Sequence, residues 1–342
     1  MAEPHFLVVR LGSLGDIVHT FPAVAALRES FPAARIAWIT HPRWKGLVES
    51  SGLASEVYAV ETRSLSSLRE AIGRVRKSRW DAGIDYQGLW KSAALPFLGG
   101  VKRRIGFSSE TIREFGVPLL YTERVRTSKA HIAEQNGELS VRAGAKCVAA
   151  PVTLQVSQED LAALSCYLRE QQADRYIVLS PGGGWRSKCW PAERFGELGC
   201  KIQGSLGLPC VINIGPGEKD LAAAVRAASG AARPIVYQGS LGQLMALLRG
   251  ASCVVGGDTG PLHLAVTLGT KTVALFGPTD PARNGPYRGP EASALGVCGD
   301  IVLRAPNVRT THKRGSQPDP SMLAIDVDSA LDAVRRVVGA TA

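Results

Sequence analysis

The 342-residue chain reads as an α/β protein with two doubly wound parallel-sheet domains. Three observations point there. Short apolar runs alternate with helical patterns of about 10–15 residues, the signature of βαβ units whose sheet is covered on both faces. The alternation pauses at a connection near residues 149–156 and then restarts, and the length suits two domains of ordinary size. Glycine is abundant, at 37 residues, and many glycines stand just after the apolar runs, where strand-to-helix turns are made.

In the first half, residues 6–11 predict a strand, Gly12-Ser13-Leu14-Gly15 a turn, and residues 16–30 a helix. Residues 36–40 and 82–85 are further strands, with a basic helix over 65–78 between them. After the connection, Ser157 and Asp160 fit the cap of a helix running to Gln171. Strands are expected at 176–179, 209–214, 253–255 and 272–276, each leading into a glycine-bearing turn. The domains are therefore placed at 1–155 and 156–325, with residues 304–320 a polar, proline-containing loop. Residues 328–338 have helical periodicity and end near Arg335-Arg336, where cations suit the helix dipole. This last segment, 326–342, is expected to stand apart and pack back on the first domain.

Hydrophobic residues make up 45% of the chain and charged residues 20%, enough for two cores and too apolar for wholesale disorder. The seven cysteines, Cys147, Cys166, Cys189, Cys200, Cys210, Cys253 and Cys298, are scattered singly. Buried thiols in a reducing, cytoplasmic compartment fit this spacing better than a disulfide framework or a zinc site. The first apolar run is too short for a secretory signal, and no stretch reaches the roughly 18 uncharged apolar residues of a membrane span. The formal net charge is +10, and residues 1–150 carry 21 Lys and Arg against 14 Asp and Glu. Such an excess favours an anionic partner or serves solubility alone. No nucleic-acid-binding motif accompanies it, so nucleic acid is not expected.

Ligands of open α/β sheets bind beyond the carboxyl ends of the strands, and four segments with polar groups fall there. In Gly12-Ser13-Leu14-Gly15-Asp16 the glycines let the backbone turn sharply, and Asp16 opens the next helix either as a cap or as a carboxylate facing a ligand. The spacing is not the G-x-G-x-x-G of a nicotinamide-binding turn, which disfavours an oxidoreductase. Gly182-Gly183-Gly184 followed by Lys188 offers backbone N–H groups and a mobile cation, a phosphate-binding combination. Asp258-Thr259-Gly260 with His263 lies at another helix start, where the histidine is either a core residue or a ligand group. Phe276-Gly277-Pro278-Thr279-Asp280 reads as a rigid turn.

The segments LVVRLGSLGDIVHTFPAVAALRESFP, GGGWRSKCWPAERF and GGDTGPLHLAVTLGTKTVALFGPTDPARNGPY together resemble, in this order, motifs of the bacterial lipopolysaccharide heptosyltransferases. The ending PSMLAIDVDSALDAV is similar to that family's last helix. The resemblance implies a GT-B architecture, with two Rossmann-like domains facing across a cleft, the acceptor on the first and the nucleotide sugar on the second. It also implies an inverting, metal-independent transfer without a cofactor. Asp16 then matches the catalytic base and Lys188 the phosphate-binding lysine. Asp258, Thr259, Gly260 and His263 match donor-binding positions, and Glu218 an acidic residue near the ribose. Gly183 and Gly184 stand where some members have hydroxyl residues, so phosphate contacts there come from the backbone, and Gly239 falls at a position that lines the adenine pocket in some relatives.

The implied donor is ADP-heptose. The implied acceptor is an anionic glycolipid, Kdo-lipid A or its heptosylated product, met at the cytoplasmic surface of the inner membrane. Ser13, Gly15 and the cluster Lys102-Arg103-Arg104 are the expected acceptor-side residues, and Arg74, Arg76, Lys77 and Arg79 form a second cationic cluster. A GT-B enzyme using another nucleotide sugar, and a non-catalytic sugar-nucleotide-binding protein, are the alternatives.

Overall fold

The computed structural model describes residues 3–112, 114–290, 299–311 and 315–339. The chain divides into two compact units, Met1–Gln155 and Val156–Ala342. The first holds strands β1 (His5–Val9), β2 (Arg35–Thr40), β3 (Glu56–Ala59), β4 (Ala82–Asp85), β5 (Arg104–Phe107) and β6 (Glu123–Val125). Its helices are α1 (Leu14–Val18), α2 (Phe21–Ser30), α3 (Lys45–Ser50), α4 (Leu65–Arg76), α5 (Trp90–Leu98) and α6 (Ile132–Ala143). All strand pairs are parallel, in the order β3-β2-β1-β4-β5-β6. Every residue of β4 is buried and β1 is buried after its first residue, as strands covered on both faces must be.

The helix expected over 16–30 is two. Pro22 has no N–H to give, and its ring would collide with the carbonyl of Val18, so the chain breaks after α1 and restarts at Phe21. Asp16 lies in the first turn of the short α1. Behind the sheet, α6 comes so close to the backbone at Val148 that a Cβ at Gly137 would lie 1.7 Å from its carbonyl oxygen. Only glycine fits this approach.

The second unit repeats the plan. It contains α7 (Gln158–Glu170), β7 (Ile177–Ser180), α8 (Ala192–Leu206), β8 (Cys210–Asn213), α9 (Lys219–Ala228), β9 (Ile235–Tyr237), α10 (Leu241–Gly250), β10 (Cys253–Gly257), α11 (Gly260–Thr267), β11 (Thr272–Phe276), α12 (Pro281–Asn284) and β12 (Ile301–Arg304). The parallel order is β12-β11-β10-β7-β8-β9. Ser157 caps α7 by accepting from Glu159 N and Asp160 N.

The final helix, Val327–Gly339, does not stand apart from the second unit. Val327, Ala330, Leu331, Ala333, Val334 and Val337 are buried in one core with Ile177, Leu179, Trp190, Phe195 and Ile202. The preceding turn is latched there too, since the Trp190 indole N–H donates to Ile325 O at 2.9 Å. The apolar face of the helix matches α8 and the second sheet, and burying it there removes its side chains from water at roughly 1.5–3 kcal/mol for each large one. Six cysteines are free thiols, and burial pushes Cys210 and Cys253 up to about 12. Cys298 lies outside the described residues.

Candidate active site

Each sheet reverses its strand order once, between β1 and β4 in the first unit and between β7 and β10 in the second. At such a switch the loops leaving the two central strands diverge to opposite faces and open a crevice at the carboxyl edge. The loops that leave these four strands carry Arg10–Asp16, Tyr86–Leu89, Gly182–Lys188 and Asp258–Gly260.

In the first unit Asp16 is the third residue of α1. Its Oδ2 accepts from the backbone N–H of Ser13 at 2.8 Å and from the Ser13 hydroxyl at 2.9 Å. Its Oδ1 meets the Arg10 guanidinium at 2.7 Å. Burial works against the ionised form of Asp16, but the Arg10 charge and the Ser13 hydrogen bonds outweigh it and hold the carboxyl below its ordinary range. The side chain is still 45% exposed, so a ligand can reach it, whereas Arg10 is buried. Arg10 also donates to Tyr86 O, and the Gln87 Oε1 accepts from Leu11 N at 2.8 Å. These bonds tie the loop after β4 to the loop after β1.

Asp85 shapes the second of these loops. It is fully buried at the end of β4 and accepts from Tyr121 OH at 2.7 Å, Ser92 Oγ at 2.9 Å and Gln87 N at 2.9 Å. Desolvation nevertheless prevails over those bonds and raises its pKa. Gly12, at φ +154°, turns the chain where a Cβ would lie 2.9 Å from the Trp44 indole nitrogen.

In the second unit the Asp258 carboxylate is shared. Oδ1 lies 3.0 Å from His263 Nε2 and Oδ2 lies 3.4 Å from Lys188 Nζ. Burial alone would raise the Asp258 pKa, but the His263 hydrogen bond and the Lys188 charge hold it far below the usual carboxylate range. Lys188 also stands 5.3 Å over the Trp185 ring, an additional cation–π attraction. Its contact with Asp258 is long for an ion pair, so the ammonium is oriented without being saturated.

Thr259 precedes the first residue of α11, and its hydroxyl is buried without a hydrogen-bond partner among the described residues. Such a group is costly unless a ligand oxygen completes it. Position 183 lies under this group, where a Cβ would come 3.3 Å from Thr259 Cγ2 and 2.9 Å from Cys189 Sγ. Gly182 is packed against the Glu218 carboxylate, whose Oε2 accepts from Gly215 N at 2.6 Å. Backbone amides, a lysine, a helix N-terminus and a bare hydroxyl thus converge at the carboxyl edge of the second sheet, an anion-binding arrangement.

The family model for glycosyltransferase family 9 (heptosyltransferase) matches residues 68–309. The chain belongs to this family. The glycosyltransferase is 30% identical, over 82% of its own length and 90% of the relative's, to lipopolysaccharide heptosyltransferase 1 of Salmonella typhimurium. It is 28% identical to the Escherichia coli K12 enzyme of the same name, over 87% and 97% of the two chains. Among solved structures, a family 9 glycosyltransferase from Veillonella parvula superimposes with a TM-score of 0.84 at 22% identity, over 99% and 98% of the chains. E. coli ADP-heptose lps heptosyltransferase II gives 0.80 at 20% identity, over 98% and 99%. The GT-B-like pair of parallel sheets is therefore shared with these enzymes.

Within the glycosyltransferase, Ser13, Gly15 and Asp16 gather at the first switch point; Gly183, Gly184, Lys188, Asp258 and Thr259 lie on loops of the second and Gly260 and His263 in the first turns of α11, with Glu218 beside Gly182. Lys102, Arg103 and Arg104 are not brought to Asp16. Lys102 and Arg103 precede β5 and Arg104 is its first residue, so all three occupy the amino edge of a parallel sheet whose carboxyl edge carries Asp16. Arg103 pairs with Glu123 at 2.7 Å, and Arg104 donates to Leu120 O at 2.7 Å. Arg74, in the other cluster, pairs with Glu70. Asp280 caps α12 by accepting from Ala282 N at 3.0 Å, so that turn is structural at this position.

Arg10, Gln87 and Trp185 escaped the sequence reading. The signal for Arg10 was present: a single cation inside an apolar strand run requires a buried acceptor. Nothing in the sequence marks Gln87, because its partner is 76 residues away.

Proposed function

We propose that the enzyme moves heptose from ADP-heptose to the inner core of lipopolysaccharide, with Kdo-lipid A or its heptosylated product as acceptor. Inverting, metal-independent displacement at the anomeric carbon is the mechanism. The observation that carries this reading is the anion-binding rim of Lys188, Thr259 and the α11 N-terminus at the second switch point, in a chain whose first switch point displays an ionised, reachable Asp16. Such an enzyme works at the cytoplasmic surface of the inner membrane, where a glycolipid acceptor is anchored.

In the proposed step Asp16 takes the proton of the acceptor hydroxyl while that oxygen bonds to the anomeric carbon from the face opposite the diphosphate. The bond from that carbon to the phosphate oxygen breaks, and ADP departs with the electron pair. Lys188 and the amides at the start of α11 offset the charge that develops on the leaving oxygen. One ammonium–phosphate contact at about 4 Å and an effective dielectric near 20 is worth roughly 4 kcal/mol before desolvation.

Competition between ADP and UDP tests the donor. Gly239, which the family resemblance sets beside the base, packs against Tyr237 and Gln243, where a Cβ would lie 2.9 Å from each. ADP should displace the donor and UDP should not; the reverse would overturn the donor assignment. Transfer of label to truncated core glycolipids identifies the acceptor.

Lys188→Ala should weaken ADP binding by calorimetry and slow transfer, each by about 10–150-fold for the loss of one charge-assisted contact. Arg10→Gln should act differently. Removing the guanidinium removes the attraction that keeps Asp16 ionised, so the acid limb of the pH–rate profile moves to higher pH, and Arg10→Lys should move it back. A limb that does not shift would dissociate Arg10 from the base.

A further inference from the structure

Among the described residues nine large hydrophobic side chains stand exposed, and five of them, Trp90, Phe97, Leu98, Phe115 and Leu119, fall within residues 90–119. The fold packs the two segments that carry them against each other. The one-turn helix Val117–Leu120 packs on α5, with Ala93, Val117 and Tyr121 buried between them. A Cβ at Gly116 would lie 3.0 Å from the Trp90 ring. Phe115 is 99% exposed and Leu119 72% exposed, so intramolecular packing accounts for neither. An apolar ridge formed by exposed tips on two packed segments marks an interaction surface.

The charge around the ridge selects the partner. Arg124 donates to Pro118 O at 2.9 Å, Arg76 to Leu98 O at 2.9 Å and Arg104 to Leu120 O at 2.7 Å, and the Arg104 guanidinium lies 5.3 Å over the Phe97 ring. Three guanidinium groups are thus anchored on the carbonyls of the ridge's own elements. Lys91 and Lys102 are exposed at either end of α5. Of the nearby carboxylates, Glu123 is taken by Arg103 and Arg142, Glu110 by Arg126, and Glu114 accepts from Trp90 N at 2.7 Å. Aromatic and aliphatic tips ringed by cations complement the acyl boundary and phosphates of an anionic bilayer.

We propose that this ridge docks the enzyme on anionic lipid: Phe115, Leu119 and Trp90 enter the headgroup boundary while Arg76, Lys91, Lys102, Arg104 and Arg124 meet lipid phosphates. Trp90 starts α5 three residues after Gln87, whose side chain holds Leu11. Docking therefore brings the bilayer toward the loop of Asp16, and the cations that do not reach Asp16 gain a role. The membrane surface deepens the acceptor reading above, but lipid binding is measurable without any transfer.

The probe is flotation with phosphatidylcholine vesicles containing roughly 30% phosphatidylglycerol, against phosphatidylcholine alone. The enzyme should float with the first in a salt-sensitive manner and not with the second. Phe115→Ser with Leu119→Ser should lower vesicle affinity roughly a hundredfold, since each lost side chain is worth about tenfold in partitioning. The double variant should keep its unfolding midpoint and its transfer to a deacylated acceptor, and lose transfer to the same acceptor embedded in vesicles. Failure of the wild-type enzyme to float, or equal flotation of the double variant, overturns the proposal. So does wild-type self-association that depends on Phe115 while flotation does not, which would make the ridge a protein interface. Failure of the transfer reading looks different: no transfer to either acceptor, with flotation intact.

Discussion

Asp16→Asn is expected to lower turnover by about 10²–10⁴-fold at saturating donor and acceptor, the contribution of a positioned general base. The amide is nearly isosteric and preserves the backbone position, but it has no lone pair basic enough to take a proton from an alcohol. Its oxygen can still accept from Ser13, which leaves the amide N–H₂ facing the Arg10 guanidinium where the carboxylate now receives it at 2.7 Å. Some loss of stability therefore accompanies the loss of turnover, and an unfolding curve measured alongside separates the two. ADP affinity by calorimetry should be nearly unchanged, because the proposed donor groups belong to the second unit. Near-normal turnover in a folded variant would remove Asp16 from the base role.

The second large effect is expected from Asp258→Ala. This carboxylate, only 9% exposed, is the common partner of Lys188 and His263. Its deletion leaves both groups beside an apolar methyl, and breaking a buried charge pair in this way costs about 3–5 kcal/mol. Urea unfolding should show the loss in the second unit, and ADP binding should fall because Lys188 is no longer aimed. The pH dependence has a definite sign. A carboxyl whose folded pKa is depressed stabilises the fold at pH above its unfolded value of about 3.9. That stability is lost only as pH falls through the lower folded value. The same sign holds for Asp16, so both sites should resist mild acid, and Asp258→Ala should flatten the acid side of the stability profile. An acid profile unchanged by the substitution would contradict the pairing.

Much of the fold was legible because its signals are local. The buried runs of β1, β2, β4, β7, β8, β10 and β11 are apolar enough to read as strands, and glycine marks where most of them end. The strands that escaped, β3, β5, β6, β9 and β12, are short, and all but β5 lie at or beside solvent. In β6 and β12 exposed residues interrupt the apolar pattern, as edge positions allow. The break at Pro22 was written in the sequence, but the apolar periodicity continues across it. Most of the candidate-site residues are legible because they stand beside glycines at strand ends. For the cationic run at 102–104, charge says nothing of which sheet edge a residue occupies; only the strand direction of β5 decides it. The final helix packs in the second core, which its amphipathic pattern could not name, since that pattern requires a core without saying which one.

Both oxygens of Asp16 are already engaged, and this restricts the direction from which a substrate can arrive. Each carboxylate oxygen offers two lone pairs. Ser13 occupies both on Oδ2, through its amide and its hydroxyl, whereas Arg10 takes one on Oδ1. The vacant orbital is therefore on the arginine side, unless the serine hydroxyl rotates aside. With Asp16 in the proposed base role, an incoming alcohol must present its hydrogen along that single remaining trajectory, so regioselectivity among several neighbouring hydroxyls of a sugar can arise from the approach angle at one oxygen atom rather than from a tight-fitting pocket around the whole ring.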